Sequence, residues 1–88
     1  MITIDIYGAP KCIMCTRAIQ LSQEYRAAYS DRVRVLYHDL DKSSPTYAID
    51  MGILTNVLKY APDHVPVILV NNKETKLSKL EDAIKELL

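Results

Sequence analysis

Alternating hydrophobic and polar residues predict β-strands in the first half of the chain. The three isoleucines of "ITIDIY" (Ile2–Tyr7) share one face of such a strand, and Asp5 lies on the other face, where we expect it to meet solvent. Gly8 and Pro10 then end this strand. The same alternation in "RVRVLYHDL" predicts a second strand around Val33–His38.

Hydrophobic residues spaced three and four positions apart predict a helix after each of these strands and another at the end of the sequence. The first helix runs from Cys12 or Ile13 to about Tyr29. The last is amphipathic, and Ser78 and Glu81 form a capping box at its start.

The middle helix has a start signal and a candidate break. Ser44 is a suitable N-cap, and Pro45 suits the first helical position. The helical spacing continues through Leu58, with Gly52 inside it as the point where the helix would divide.

A hydrophobic run and a turn predict two further strands. "VPVILV" (Val65–Val70) is continuously apolar, as expected of a central strand buried on both faces. Asn71–Asn72 is a favourable hairpin turn, and "KETKL" after it predicts a short edge strand. The resulting order, β-α-β-α-β-β-α, predicts a single three-layer α/β domain over residues 1–88. Its four-stranded sheet is mixed, because the strand–helix–strand unit gives a parallel pair and the hairpin gives antiparallel strands.

The composition argues against several classes of function. The 88 residues carry 11 Lys and Arg against 11 Asp and Glu, without the basic block that nucleic acid or an anionic membrane surface requires. No apolar run approaches the roughly 18 residues of a membrane span, and the N-terminal residues lack the features of a signal peptide. We therefore expect a cytoplasmic protein, in a compartment where cysteines stay reduced unless they cycle or bind metal. We also expect a monomer.

The two cysteines of the chain, Cys12 and Cys15, lie at the predicted start of the first helix. The free N–H groups and the dipole of a helix N-terminus favour a thiolate, which lowers the pKa of the Cys12 thiol. Cys15 lies one turn further along the same face, close enough for a disulfide after a modest adjustment. The spacing predicts a redox pair in which the more exposed Cys12 attacks a target disulfide and the more buried Cys15 resolves the mixed disulfide.

Two other interpretations of the cysteine pair are open. A structural zinc site takes four ligands, and only His38 and His64 are available besides the cysteines, without ligand-like spacing. We therefore expect no metal here. The remaining alternative is that both cysteines are small, buried apolar residues without a redox role.

The motif Y-x-x-P-x-C-x-x-C after the first strand, together with "VPV" opening a later strand, resembles the glutaredoxin branch of the thioredoxin-like superfamily. It also resembles the glutaredoxin-like electron donors of ribonucleotide reductase. The resemblance covers the whole chain in element order and is specific around Tyr7–Ala18 and Val65–Val70. It implies a thioredoxin-like fold and an enzyme that reduces protein disulfides through its dithiol.

The resemblance implies roles for single residues. Cys12 is then the catalytic nucleophile and Cys15 the resolving thiol. Val65–Pro66 matches the family's cis-proline, which packs beside the disulfide, so that the preceding residue pairs with the backbone of a bound peptide or glutathione. Lys11, next to Cys12, and Tyr7, at the end of the first strand, are further candidate substrate-binding residues.

The resemblance implies that the protein has no tightly bound cofactor, and it also implies the substrates and the reductant. Disulfide-containing proteins are the substrates, with ribonucleotide reductase as one acceptor, and glutathione is the reductant. Because "TKLS" stands where the family has Gly-Gly, thioredoxin reductase is an alternative electron source. An iron–sulfur carrier that uses Cys12 from two subunits and a non-catalytic binding module of the same fold are the alternative functions.

Overall fold

Seven elements follow one another in the order β-α-β-α-β-β-α, as the sequence predicts. The computed structural model describes residues 1–88. The strands and helices are β1 (Ile2–Gly8), α1 (Ile13–Ala28), β2 (Val33–Asp39), α2 (Tyr47–Leu58), β3 (Val67–Val70), β4 (Lys73–Thr75) and α3 (Leu77–Leu87). No helix among these has both the length and the apolar character needed to span a membrane.

The four strands form one mixed sheet in the order β2-β1-β3-β4. β1 runs parallel to β2, whereas β3 is antiparallel to both β1 and β4. The β3–β4 hairpin turns at Asn71 and Asn72, which have φ angles of 52° and 67°. Two consecutive positive φ angles suit a tight hairpin, and asparagine accepts them more readily than most residues do.

Hydrophobic residues cover both faces of the sheet. On one face, β1, β2 and β3 pack against α1 and α3 through the first core cluster: Ile2, Ile4, Ile6, Ala18, Val33, Ile68, Val70, Leu80 and Ile84. On the other face, α2 packs through the second core cluster: Tyr7, Leu40, Leu54, Val67 and Leu69. The domain therefore has three layers, and β3 contributes to both faces as the continuous apolar run predicts.

The structure corrects the predicted start of α2. Tyr47 is its first residue and Thr46 its N-cap, so Ser44 and Pro45 lie outside the helix. The Ser44 hydroxyl accepts a hydrogen bond from the Thr46 N–H at 3.3 Å, and its carbonyl accepts one from Tyr47 N–H at 3.1 Å. These bonds form a local turn that delays the helix. Gly52 does not divide α2, which is continuous to Leu58.

The predicted capping box of the last helix is also wrong. α3 begins at Leu77 with Lys76 as its N-cap, so Ser78 is already the second helical residue. β3 begins at Val67, two residues later than the apolar run suggests, and Val65–Pro66 belongs to the loop before it.

Candidate active site: a cysteine pair at the start of a helix

Cys12 is the N-cap residue of α1. Its backbone is extended, with φ of −92° and ψ of 112°, and its sulfur accepts a hydrogen bond from the Cys15 N–H at 3.1 Å. Its carbonyl accepts hydrogen bonds from both the N–H and the hydroxyl of Thr16, each at 3.1 Å. The Cys12 sulfur therefore occupies the position where a helix N-terminus favours negative charge.

The two cysteines form a disulfide, with their Cα atoms 5.2 Å apart. The pair is unequally exposed: Cys15 retains 2% of its surface, whereas Cys12 is half-buried. In thiol–disulfide exchange, access decides which sulfur an incoming molecule meets. Only Cys12 offers a sulfur to a macromolecular partner.

Cys15 packs against Gly8, where the absence of a side chain leaves room for it. A Cβ atom on Gly8 would stand 2.9 Å from the Cys15 sulfur, 3.1 Å from its Cβ and 3.3 Å from the Tyr37 ring. Its φ is not positive, so the need for glycine arises from this close approach and not from the backbone conformation. The sequence alone predicts only that Gly8 ends the strand.

Val65 and Pro66 stand beside a depression of about 360 Å³. The Val65–Pro66 peptide bond is cis, as the resemblance implies. Met14, from the segment between the cysteines, lines the same depression, which we call the Met14 groove; Thr75 and Lys76 line its other side. The fold thus brings the proline loop and the cysteine segment to one surface.

A second depression, of about 410 Å³, is also lined by Val65. Tyr47 and Met51 of α2 line it together with Lys42, and we call it the α2 pocket. His64 borders both depressions, is half exposed, and has Asp63 3.4 Å from its Nδ1.

The other two candidate substrate-binding residues lie apart from these depressions. Lys11 is exposed next to Cys12 and has a φ of 64°, in the left-handed region. Tyr7 retains 3% of its surface and packs in the second core cluster. Burial, followed by the charges of Asp5 and Asp50, raises the pKa of Tyr7. A substrate contact by Lys11 or Tyr7 stays a prediction.

Asp5 is not a solvated strand residue, contrary to the expectation from the alternation. It is 8% exposed, and its Oδ1 lies 2.9 Å from His38 Nε2. The parallel register places Tyr7 opposite His38, and their rings stack with centroids 4.2 Å apart. The strand period correctly placed Asp5 on the face opposite the isoleucines, but that face is covered by α2.

No group of three or more His, Cys, Asp or Glu residues is arranged to hold a metal ion. Comparisons of the chain with protein-family models and with curated proteins find no match.

Proposed function

We propose that this protein is a thiol–disulfide oxidoreductase of the glutaredoxin type, which reduces disulfides in other proteins. The observation that carries the proposal is the asymmetry of the cysteine pair: Cys12 is accessible at a helix N-terminus, and Cys15 is buried behind it. A helix N-terminus lowers the pKa of a thiol and so raises its thiolate fraction at neutral pH.

The reaction begins from the reduced protein. The Cys12 thiolate attacks one sulfur of the substrate disulfide, which forms a mixed disulfide and releases the other substrate sulfur as a thiolate that takes up a proton. The Cys15 thiol then loses its proton and attacks the Cys12 sulfur. This step forms the Cys12–Cys15 disulfide and releases the second substrate thiol, so the substrate gains two electrons and two protons in total.

The contact between the Cys15 N–H and the Cys12 sulfur assists the first step of this cycle, in which Cys12 reacts as a thiolate. A backbone N–H that points at a sulfur stabilises negative charge on it. The same N–H donates at 3.1 Å in the oxidised protein described above, so the donor is already in place when the thiolate forms.

The substrate surface in this proposal is the Met14 groove. Met14 and Val65 are 47% and 39% exposed, and Ile13 beside them is 76% exposed. Exposed apolar side chains around the reactive sulfur fit a protein partner with an apolar patch of its own. By resemblance, ribonucleotide reductase is one such partner, glutathione or thioredoxin reductase supplies the electrons, and the cytoplasm is the compartment.

A trapping experiment tests the assigned roles. With Cys15→Ser, the mixed disulfide cannot be resolved, so the variant should accumulate a covalent complex with a disulfide-containing test protein. The complex should disappear on adding dithiothreitol. Cys12→Ser is the matched control and should give no complex. Equal trapping by both variants, or by neither, would contradict the proposal.

A further inference from the structure

A partly buried polar cluster joins the sheet to α2. His38 of β2 lies between two carboxylates: its Nε2 is 2.9 Å from Asp5 Oδ1 on β1, and its Nδ1 is 3.8 Å from Asp50 Oδ1 on α2. The side chains of Asp5 and Asp50 are 12% and 15% exposed, and that of His38 is 23% exposed. The redox chemistry proposed above uses none of these groups.

The charge of His38 determines whether its ring attracts both carboxylates or only that of Asp5. A protonated imidazole carries N–H groups on both nitrogens, so each carboxylate faces a positively charged donor. A neutral imidazole has one N–H, and the short Nε2–Asp5 contact is the better hydrogen bond. In the neutral ring the lone pair of Nδ1 then faces the Asp50 carboxylate, and the attraction between β2 and α2 is lost.

The contact between His38 and Asp50 is the one ion pair that joins α2 to the sheet. Asp50 is the single charged residue in the helix, and it faces inward. Its second oxygen accepts a hydrogen bond from the Thr46 hydroxyl at 3.0 Å, so Asp50 also steadies the first turn. Otherwise α2 is held by the second core cluster, which is the smaller of the two.

The other titratable groups near His38 do not respond to its change of charge. Tyr7 of β1 stacks on the ring, and burial and the two carboxylates raise the pKa of its hydroxyl, so it stays neutral when His38 changes charge. Tyr37 and Asp39 flank His38 on its own strand and alternate to the other face of the sheet. Asp5 and Asp50 are the two charges that respond to the proton.

We propose that His38 is a proton-dependent clamp that holds α2 on the sheet when it is protonated and loosens the helix when it is neutral. The clamp goes beyond the proposed redox function and does not depend on it. Tyr47 and Met51 move with α2 and line the α2 pocket beside Val65, so the clamp couples the ambient pH to the shape of this pocket.

Amide hydrogen exchange tests the clamp in the intact, oxidised protein. Exchange is measured at about pH 5 and about pH 8, on either side of ordinary imidazole titration, and expressed as protection factors to remove the intrinsic effect of pH. We expect the protection of α2 amides to fall about threefold or more at the higher pH, as expected for the loss of one partly exposed ion pair. Protection of α1 and α3 should stay constant.

Two variants decide the origin of such a change. Asp50→Asn keeps the size and the acceptor oxygen of the side chain but removes its charge, so the difference between the two pH values in α2 should vanish. His64→Asn removes the other histidine of the chain, which is exposed, and should leave the difference intact. Constant protection of α2 in the unmodified protein, or a difference that persists in Asp50→Asn, would overturn the proposal.

Discussion

Gly8 and Cys15 approach so closely that no side chain fits between them: a Cβ on Gly8 would stand 2.9 Å from the Cys15 sulfur. The end of β1 thereby packs against the buried Cys15, whereas Cys12 lies at the N-terminus of α1. The position of the Cys15 sulfur depends on a glycine four residues before the first cysteine.

Gly8→Ala should therefore destabilise the protein by about 1–3 kcal/mol, the usual effect of forcing a methyl group into a packed site. Gly52→Ala is a matched control. A Cβ there would meet nothing within 4 Å, and the position is helical, so the change should stabilise by roughly 0.5–1 kcal/mol. Chemical denaturation of both variants measures the two effects, and equal stability of the variants would contradict the close approach.

Ser22 on α1 is the one fully buried side chain whose polar atom has no partner. Its hydroxyl lost its hydrogen bonds to water on folding and gained none. Ser22→Ala should therefore raise the free energy of unfolding by about 1 kcal/mol. The control Ser30→Ala, at an exposed position, should change it by less than about 0.5 kcal/mol. A destabilised Ser22→Ala variant would mean that the hydroxyl has a partner after all.

Removing His38 should be costly, because it leaves Asp5 as a buried carboxylate without its nearest partner. His38→Leu should lower the free energy of unfolding at neutral pH by about 3 kcal/mol. His64→Leu, which removes an exposed imidazole, should change it by less than about 1 kcal/mol. Urea denaturation compares the two, and similar values for both variants would show that the Asp5–His38 contact contributes little.

The raised pKa of Tyr7 predicts that the protein loses stability as the pH becomes alkaline. The folded state favours the neutral hydroxyl, so this contribution is fully present below the ordinary tyrosine value of 10.0 and is lost as the pH rises through the folded pKa. Tyr7→Phe should therefore lose less stability than the unmodified protein between about pH 9 and about pH 11. Identical alkaline profiles for the variant and the unmodified protein would contradict the shift.

Local patterns predicted most of the fold. The alternation in β1, the period of α1 and the Asn71–Asn72 turn each follow from neighbouring residues, and the structure confirms all three. The predicted starts of α2 and α3 were wrong because two favourable local signals competed at each position. Ser44 forms a turn with Thr46 in place of a helix cap, and Lys76 stays extended where Ser78 was expected to do so.

The polar features of the interior could not be predicted in the same way. Asp5 and His38 are 33 residues apart and meet only because β1 and β2 are parallel neighbours in a particular register. Asp50 joins them only because α2 covers that face of the sheet. Cys12 and Cys15, by contrast, lie in one short segment. Their spacing and their place at the start of a helix can therefore be predicted from the sequence.

The most direct test of the proposed oxidoreductase is turnover. Consumption of NADPH is followed with a disulfide-containing protein as final acceptor, with either glutathione plus glutathione reductase or thioredoxin reductase as electron source. The proposed function predicts sustained turnover with at least one source and none with Cys12→Ser. No turnover with either source, from a protein whose Cys12–Cys15 disulfide can be reduced by dithiothreitol, would contradict it.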